Sequence, residues 1–187
     1  MYGIKEPRRL TDSEIVEIAG KLAIRTDESF VLDEHFFNYI YRFDTLKSAA
    51  TQKCSPMISK YQQPLQIFYF NESGQLISYH NNCNTGGFPK LNWNKNNQFV
   101  QFVPKTTIPV TDSVITLGIL LPFIRPLSEN TGISVSKYTV VVFWSGFMKK
   151  QSKELIRVVR ENLKKDSEHY SKLYFVNVDN FFAENKN

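Results

Sequence analysis

Two apolar runs near the end of the chain, Tyr138 to Trp144 and Leu173 to Val178, constrain the fold more than any other feature. Val140-Val141-Val142-Phe143-Trp144 is continuous rather than alternating. A strand of that make-up must be covered on both faces, which places it inside a sheet flanked by helices. Between the runs, Phe147 to Lys165 follows a helical period, with Met148, Leu155, Val158, Val159 and Leu163 on one side. Strand, helix and strand joined in this way form a crossover unit with parallel strands, which almost always closes right-handed. The spacing therefore predicts an α/β domain with a parallel pair in its sheet.

A chain of 187 residues, 42% hydrophobic and 22% charged, fits one domain over 1–187. It divides into an extended arm over 1–10, a helical N-terminal extension over 11–64 and a sheet-containing core over 65–187. The excess of 23 Lys and Arg over 18 Asp and Glu, +5, colours surface contacts but is too dilute for a dedicated DNA-binding module. Two cysteines, Cys54 and Cys83, exclude a disulfide-dense scaffold and a four-thiolate zinc site, and leave open one bridge or two free thiols. The opening Met1 to Arg9 lacks the apolar core of a secretory leader, and Val114 to Ile124, cut by Gly118 and Pro122, is about half the ~20 residues that cross a bilayer. Cytoplasm is the default expectation. The cell envelope is the alternative, because a basic, Pro-containing arm is also what remains when a leader or lipid-anchor segment has been removed.

Thr11-Asp12-Ser13-Glu14 has the form of a capping box, followed by Ile15, Ile18, Ala19 and Leu22 at helical spacing, and predicts a helix over about 12–22. Asp33 is placed to cap a second helix carrying Phe36, Phe37, Ile40 and Tyr41. Leu65 to Phe70 and Gln75 to His80, joined by Asn71-Glu72-Ser73-Gly74, read as a hairpin whose glycine supplies a positive φ. Asn81 to Gln98 is Asn-rich and aperiodic, and reads as a long surface loop. Val114 to Leu121 reads as a short buried helix.

Val140-Val141-Val142-Phe143-Trp144-Ser145-Gly146-Phe147-Met148-Lys149-Lys150-Gln151 resembles the first strand and active-site helix of the thioredoxin family, in which an apolar strand and Phe-Trp-Ala-x-Trp precede a Cys-x-x-Cys helix start. Leu173 to Asp179 resembles that family's next strand, which commonly ends in Val/Ile-Asp. The resemblance spans roughly Thr139 to Asn180 and implies a thioredoxin-like mixed sheet flanked by helices, here with an N-terminal helical extension. Met148 and Gln151 stand where the attacking and resolving cysteines would be, and neither supplies a thiolate. The family also needs a hairpin after its second strand, preceded by a cis-proline. This sequence ends too soon after Asp179 to provide one, which leaves the Leu65 to His80 hairpin to fill those antiparallel places from the N-terminal side.

Ligands of open α/β sheets sit beyond the carboxyl ends of parallel strands, which selects Trp144, Ser145, Gly146, Asp179 and Asn180 as a candidate pocket. The amides of the helix start, with Lys149 or Lys150, would make an anion-attracting corner there. The plainer reading is that Trp144 fills the core, Gly146 permits a tight turn and Asp179 caps a strand end. On the helix itself, Lys149, Lys150, Lys153, Arg157, Arg160 and Lys164 fall within an arc of about 100°. Either this stripe meets a protein partner or another acidic surface, or it is a solvated helix face. No aromatic platform or glycine-rich motif supports nucleic-acid binding.

Cys83 is a candidate reactive thiol near His80, or an inert one. His35 and His169 stand elsewhere and complete no metal site, and no Gly-x-Ser-x-Gly elbow, Walker loop or dinucleotide fingerprint occurs. No cofactor and no metal are expected. Phe88 and Trp93 are either contact anchors in the long loop or aromatics tucked against the core. Three functions follow as expectations: a redox-inactive thioredoxin-like binding or scaffold protein, a thiol-dependent enzyme using Cys83, and a cell-envelope lipoprotein whose anchor has been trimmed away.

Overall fold

The computed structural model describes residues 3–36, 38–40, 42, 60–87, 90–106, 110, 115–129, 131–134, 136–168 and 170–184. The first helix, α1, runs Asp12–Lys21 and carries the expected capping box: Thr11 accepts from the Glu14 amide and the Glu14 carboxylate accepts from the Thr11 amide. Leu10 before the cap and Ile15 in the first turn belong to the same buried cluster, the spacing of a hydrophobic staple. Asp33 accepts the amide of His35 at 2.7 Å, and Phe36 and residues 38–40 are helical. Phe37 and Tyr41, which were expected on the same face, lie outside the described residues.

Six strands form one mixed sheet: β1 Ser29–Leu32, β2 Gln66–Asn71, β3 Leu76–Asn81, β4 Ile124–Pro126, β5 Tyr138–Trp144 and β6 Ser171–Asn177. Their order across the sheet is β3-β2-β5-β6-β1-β4. The crossover pair is parallel, in register from Tyr138 opposite Ser171 to Trp144 opposite Asn177. β1 lies parallel to β6 on its other side, and the hairpin β2–β3 lies antiparallel against β5. Gly74 closes that hairpin with φ +73.

The sheet is not confined to 65–187. Ser29–Leu32, inside the segment expected to be a helical extension, supplies the strand between β6 and β4, and all four of its residues are buried. Four residues buried on both faces show no alternation, so this strand has no periodic signal. β4 is shorter still and ends in a proline, as suits an edge strand.

Successive β5 residues face opposite cores. Val140, Val142 and Trp144 join a cluster with Ile15 and Ala19 of α1 and with Leu155, Val158 and Val159 of α4, which runs Lys149–Leu163. Val141 and Phe143 join another with Phe36, Ile40, Leu117, Leu120 and Phe181. This double coverage is what the unbroken apolar run required. Leu117–Leu120 form the short helix α3 expected in that region, and Asn82–Thr85 form the equally short α2. Among the described residues no helix is long and apolar enough to cross a membrane.

The Asn-rich segment after β3 is packed down rather than projecting. Leu91, Trp93 and Phe99 are buried in the same core as Trp144, with Trp93 only 1% exposed. Asn162 of α4 donates to the carbonyls of Phe99 and Gln101 at 3.2 and 2.8 Å and accepts from the Tyr69 hydroxyl at 3.0 Å. Trp93 is thus a core residue and not a contact anchor. Phe88 lies outside the described residues.

Candidate functional site

β1, β5 and β6 end at one edge of the sheet, and β3 ends there too, since Gln66 of β2 lies opposite both Asn81 and Phe143. At this edge the chain leaves β5 through Ser145-Gly146-Phe147 into α4, and leaves β6 through Val178 into α5, Asp179–Glu184. The Val178 amide donates to the Trp144 carbonyl at 3.0 Å. The five residues selected for a pocket are therefore neighbours in space, but most of them are structural. Trp144 and Ser145 are fully buried. Ser145 is fixed by Ser152, whose hydroxyl accepts from the Ser145 amide at 3.1 Å and donates to its carbonyl at 2.8 Å.

Asp179 is 2% exposed and occupies the turn as a built-in anion. It accepts the Gly146 amide at 2.7 Å, the Phe147 amide at 3.2 Å and the Asn177 side-chain amide at 2.6 Å. Burial pushes its carboxyl above the ordinary range, against the pull of these donors and of the Arg8 charge. The amides of Gly146 and Phe147, just ahead of the helix start at Lys149, are thus taken by the protein's own carboxylate. Gly146 is where it is because a Cβ there would come within 3.1 Å of Ile18 Cδ1 and 3.3 Å of Asp179 Oδ1.

The segment over residues 3–10 crosses this edge. Its Lys5 amide donates to the Phe147 carbonyl at 2.9 Å. Asn180 grips the main chain of Leu10 at both groups, accepting from the amide at 2.7 Å and donating to the carbonyl at 3.0 Å. Between this segment and Ile18, Gly146, Phe147 and Asp179 lies a small cavity of about 120 Å³. Asn180 stands out in the sequence and its partner does not, although the staple spacing of Leu10 and Ile15 is a local sign that residue 10 turns inward.

The basic helix separates into parts. Lys149, Lys150, Lys153, Arg157 and Lys164 are exposed, whereas Arg160 is half-buried, paired with Glu28 at 3.3 Å and stacked over Phe175 at 5.4 Å. Arg157 is held between Glu154 at 2.5 Å and Glu161 at 2.7 Å, and these carboxylates raise its affinity for its proton. The stem of Lys150 lies against the arm, since a Cβ on Gly3 would come within 3.0 Å of its Cδ. Lys149, Lys153 and Lys164 are the remaining outward charges of the stripe.

Cys83 is an exposed free thiol in α2, and it donates to the Gln63 side-chain carbonyl at 2.8 Å. Cys54 and His169 lie outside the described residues. His80 is buried in β3; its Nε2 lies 3.1 Å from the Ser78 hydroxyl, and burial lowers its pKa to about 3. Among the described residues no group of three or more His, Cys, Asp or Glu side chains is arranged to hold a metal ion.

Comparison of the chain with family models, with curated proteins and with solved structures finds no match.

Proposed function

We propose that this chain is a thioredoxin-like domain without thiol chemistry that works as a binding or scaffold module. The observation that carries the reading is the state of the two thiol positions. Met148 and Gln151 stand at the start of the helix that follows β5, only 4% and 6% exposed, where disulfide exchange would need an accessible thiolate. The sheet supports the kinship. Three parallel strands, β1, β6 and β5, are continued by an antiparallel hairpin against β5, and that hairpin arrives from earlier in the chain rather than after β6.

The contact surfaces in this reading are the outer face of α4 and, separately, the polar rim of the Asn-rich segment. Asn84, Asn96, Asn97 and Gln98 line a cleft of about 480 Å³ there, together with Lys105. A protein partner with an acidic surface suits the outward lysines. The test is capture of partners by the wild-type chain and by a Lys153→Glu, Arg157→Glu variant. Both side chains are exposed, so the fold survives the change. Loss of partners is the expected result, and retention of every partner rejects this face as the interface.

A thiol-dependent enzyme is the second reading, favoured by the exposure of Cys83 at the same sheet edge. Against it, His80 is buried and its Nε2 faces the Ser78 hydroxyl. Alkylation of Cys83 over a pH series separates the two. A structural thiol reacts slowly throughout, whereas rapid reaction well below the ordinary value of about 8.5 marks an activated one.

A further inference from the structure

The segment over residues 3–10 is seated like a bound peptide. It has no helix or strand of its own, and of its side chains only Leu10 is buried. It is held by main-chain recognition, from the Phe147 carbonyl to the Lys5 amide and from the Asn180 carboxamide to both polar groups of Leu10, and by the Leu10 side chain in the core beside Ile15. A carboxamide that satisfies the amide and the carbonyl of one residue reads extended backbone without regard to sequence. Sequence preference comes from charge. Arg8 pairs with Glu14 at 2.8 Å, and Arg9 pairs with Glu34 at 3.1 Å and also with Glu184.

These ion pairs are exposed and individually weak, and a half-open cleft of about 120 Å³ lies between the segment and Ile18, Gly146, Phe147 and Asp179. Apart from Leu10 no side chain of the segment is buried, and residues 3–9 therefore have the profile of an element that opens locally at small cost.

We infer that the seat of residues 3–10 is a docking groove for an extended basic segment of a partner protein, with the pattern Arg-Arg-apolar, and that the chain's own Arg8-Arg9-Leu10 fills it in cis. The inference rests on contacts of this segment alone and is independent of the thioredoxin-like reading. The tethered occupant competes at a high effective concentration, so an external peptide binds the intact chain only in the fraction of molecules whose segment has lifted.

The test uses the full chain and a fluorescent synthetic peptide copying residues 3–12, with binding read by anisotropy. Arg8→Glu with Arg9→Glu in the protein sets like charges against Glu14, Glu34 and Glu184, loosens the segment and leaves the groove intact. The peptide should bind this variant at least about tenfold more tightly than wild type. Adding Glu34→Lys and Glu184→Lys should abolish that gain, and a peptide with both arginines replaced by glutamate should not bind the loosened variant. All the substituted side chains are on the surface, so each chain is expected to fold, which its circular dichroism checks. Equal affinity for both proteins, no binding to either, or undiminished binding of the charge-reversed peptide overturns the inference.

Discussion

Asp179 at the start of α5 accepts the main-chain amides of both Gly146 and Phe147, at 2.7 and 3.2 Å, and so ties the exit of β5 to the exit of β6. The carboxylate is buried, and its ionisation works against the fold even with three donors around it. Burial, the leading influence, raises its pKa in the native state. Between the ordinary and the raised value the native protein keeps a proton that the unfolded chain has released. Its contribution is therefore complete below the ordinary value and is lost as pH rises through the raised one. Asp179→Asn is neutral throughout. The unfolding free energy of wild type minus that of Asp179→Asn should fall as pH rises from about 3 to about 7, and a difference that rises contradicts this account.

His80 has the opposite sign. Its imidazole, buried beside Phe99, is held neutral in the native state down to about pH 3. Below the ordinary value of about 6.5 only the unfolded chain takes up the proton, so stability is lost as pH falls towards the native value. The unfolding free energy of wild type minus that of His80→Gln should rise with pH across that window. The His80 ring resonances of the native protein should stay flat from about pH 8 to about pH 5, and a titration there would show an imidazole open to solvent.

Gly146→Ala places a methyl group 3.1 Å from Ile18 Cδ1 and 3.3 Å from Asp179 Oδ1. Overpacking of this kind costs about 1–3 kcal/mol, readable by denaturant unfolding. Ile18→Val removes Cδ1, so the double variant should recover part of the loss. Simple additivity of the two changes would place the clash elsewhere.

Ser152→Ala leaves the Ser145 amide and carbonyl without their hydroxyl partner inside the protein. The expected loss is about 1–3 kcal/mol. By contrast Arg157→Ala, which removes an exposed residue paired to Glu154 and Glu161, should cost at most about 1 kcal/mol despite its larger number of contacts. Equal losses would mean that burial does not rank these interactions.

Much of the architecture is legible in residues whose environment is local or repetitive. Thr11 to Glu14 announces α1, Gly74 announces the hairpin, and the unbroken run ending at Trp144 announces a strand covered twice. What could not be read depends on pairing at a distance. Ser29–Leu32 is a strand because β6 and β4 lie on either side of it, and nothing within four buried residues says so. The sequence leaves Trp93 either a contact anchor or tucked against the core, and what decides is distant: Asn162 on α4 draws that loop down by the Phe99 and Gln101 carbonyls. At the end of the sheet the selected residues lie together, and the buried Trp144, the tight turn at Gly146 and the capping Asp179 match the plainer of the two readings, whereas the hydrogen-bond partners of Asp179 are not legible in the sequence. Whether the amides of Gly146 and Phe147 await an anion depends on Asp179, more than thirty residues later, folding back to accept from both. The same holds for Arg160, which shares the stripe's helical arc but leans to Glu28 and Phe175.

The proposal that this chain carries out no disulfide exchange, motivated by Met148 and Gln151, is tested most directly by reduction of insulin disulfides with dithiothreitol as the electron donor, using the full chain and Cys83→Ser. The account predicts that both proteins leave the rate at the level of dithiothreitol alone. A wild-type rate above that level, abolished by Cys83→Ser, contradicts it.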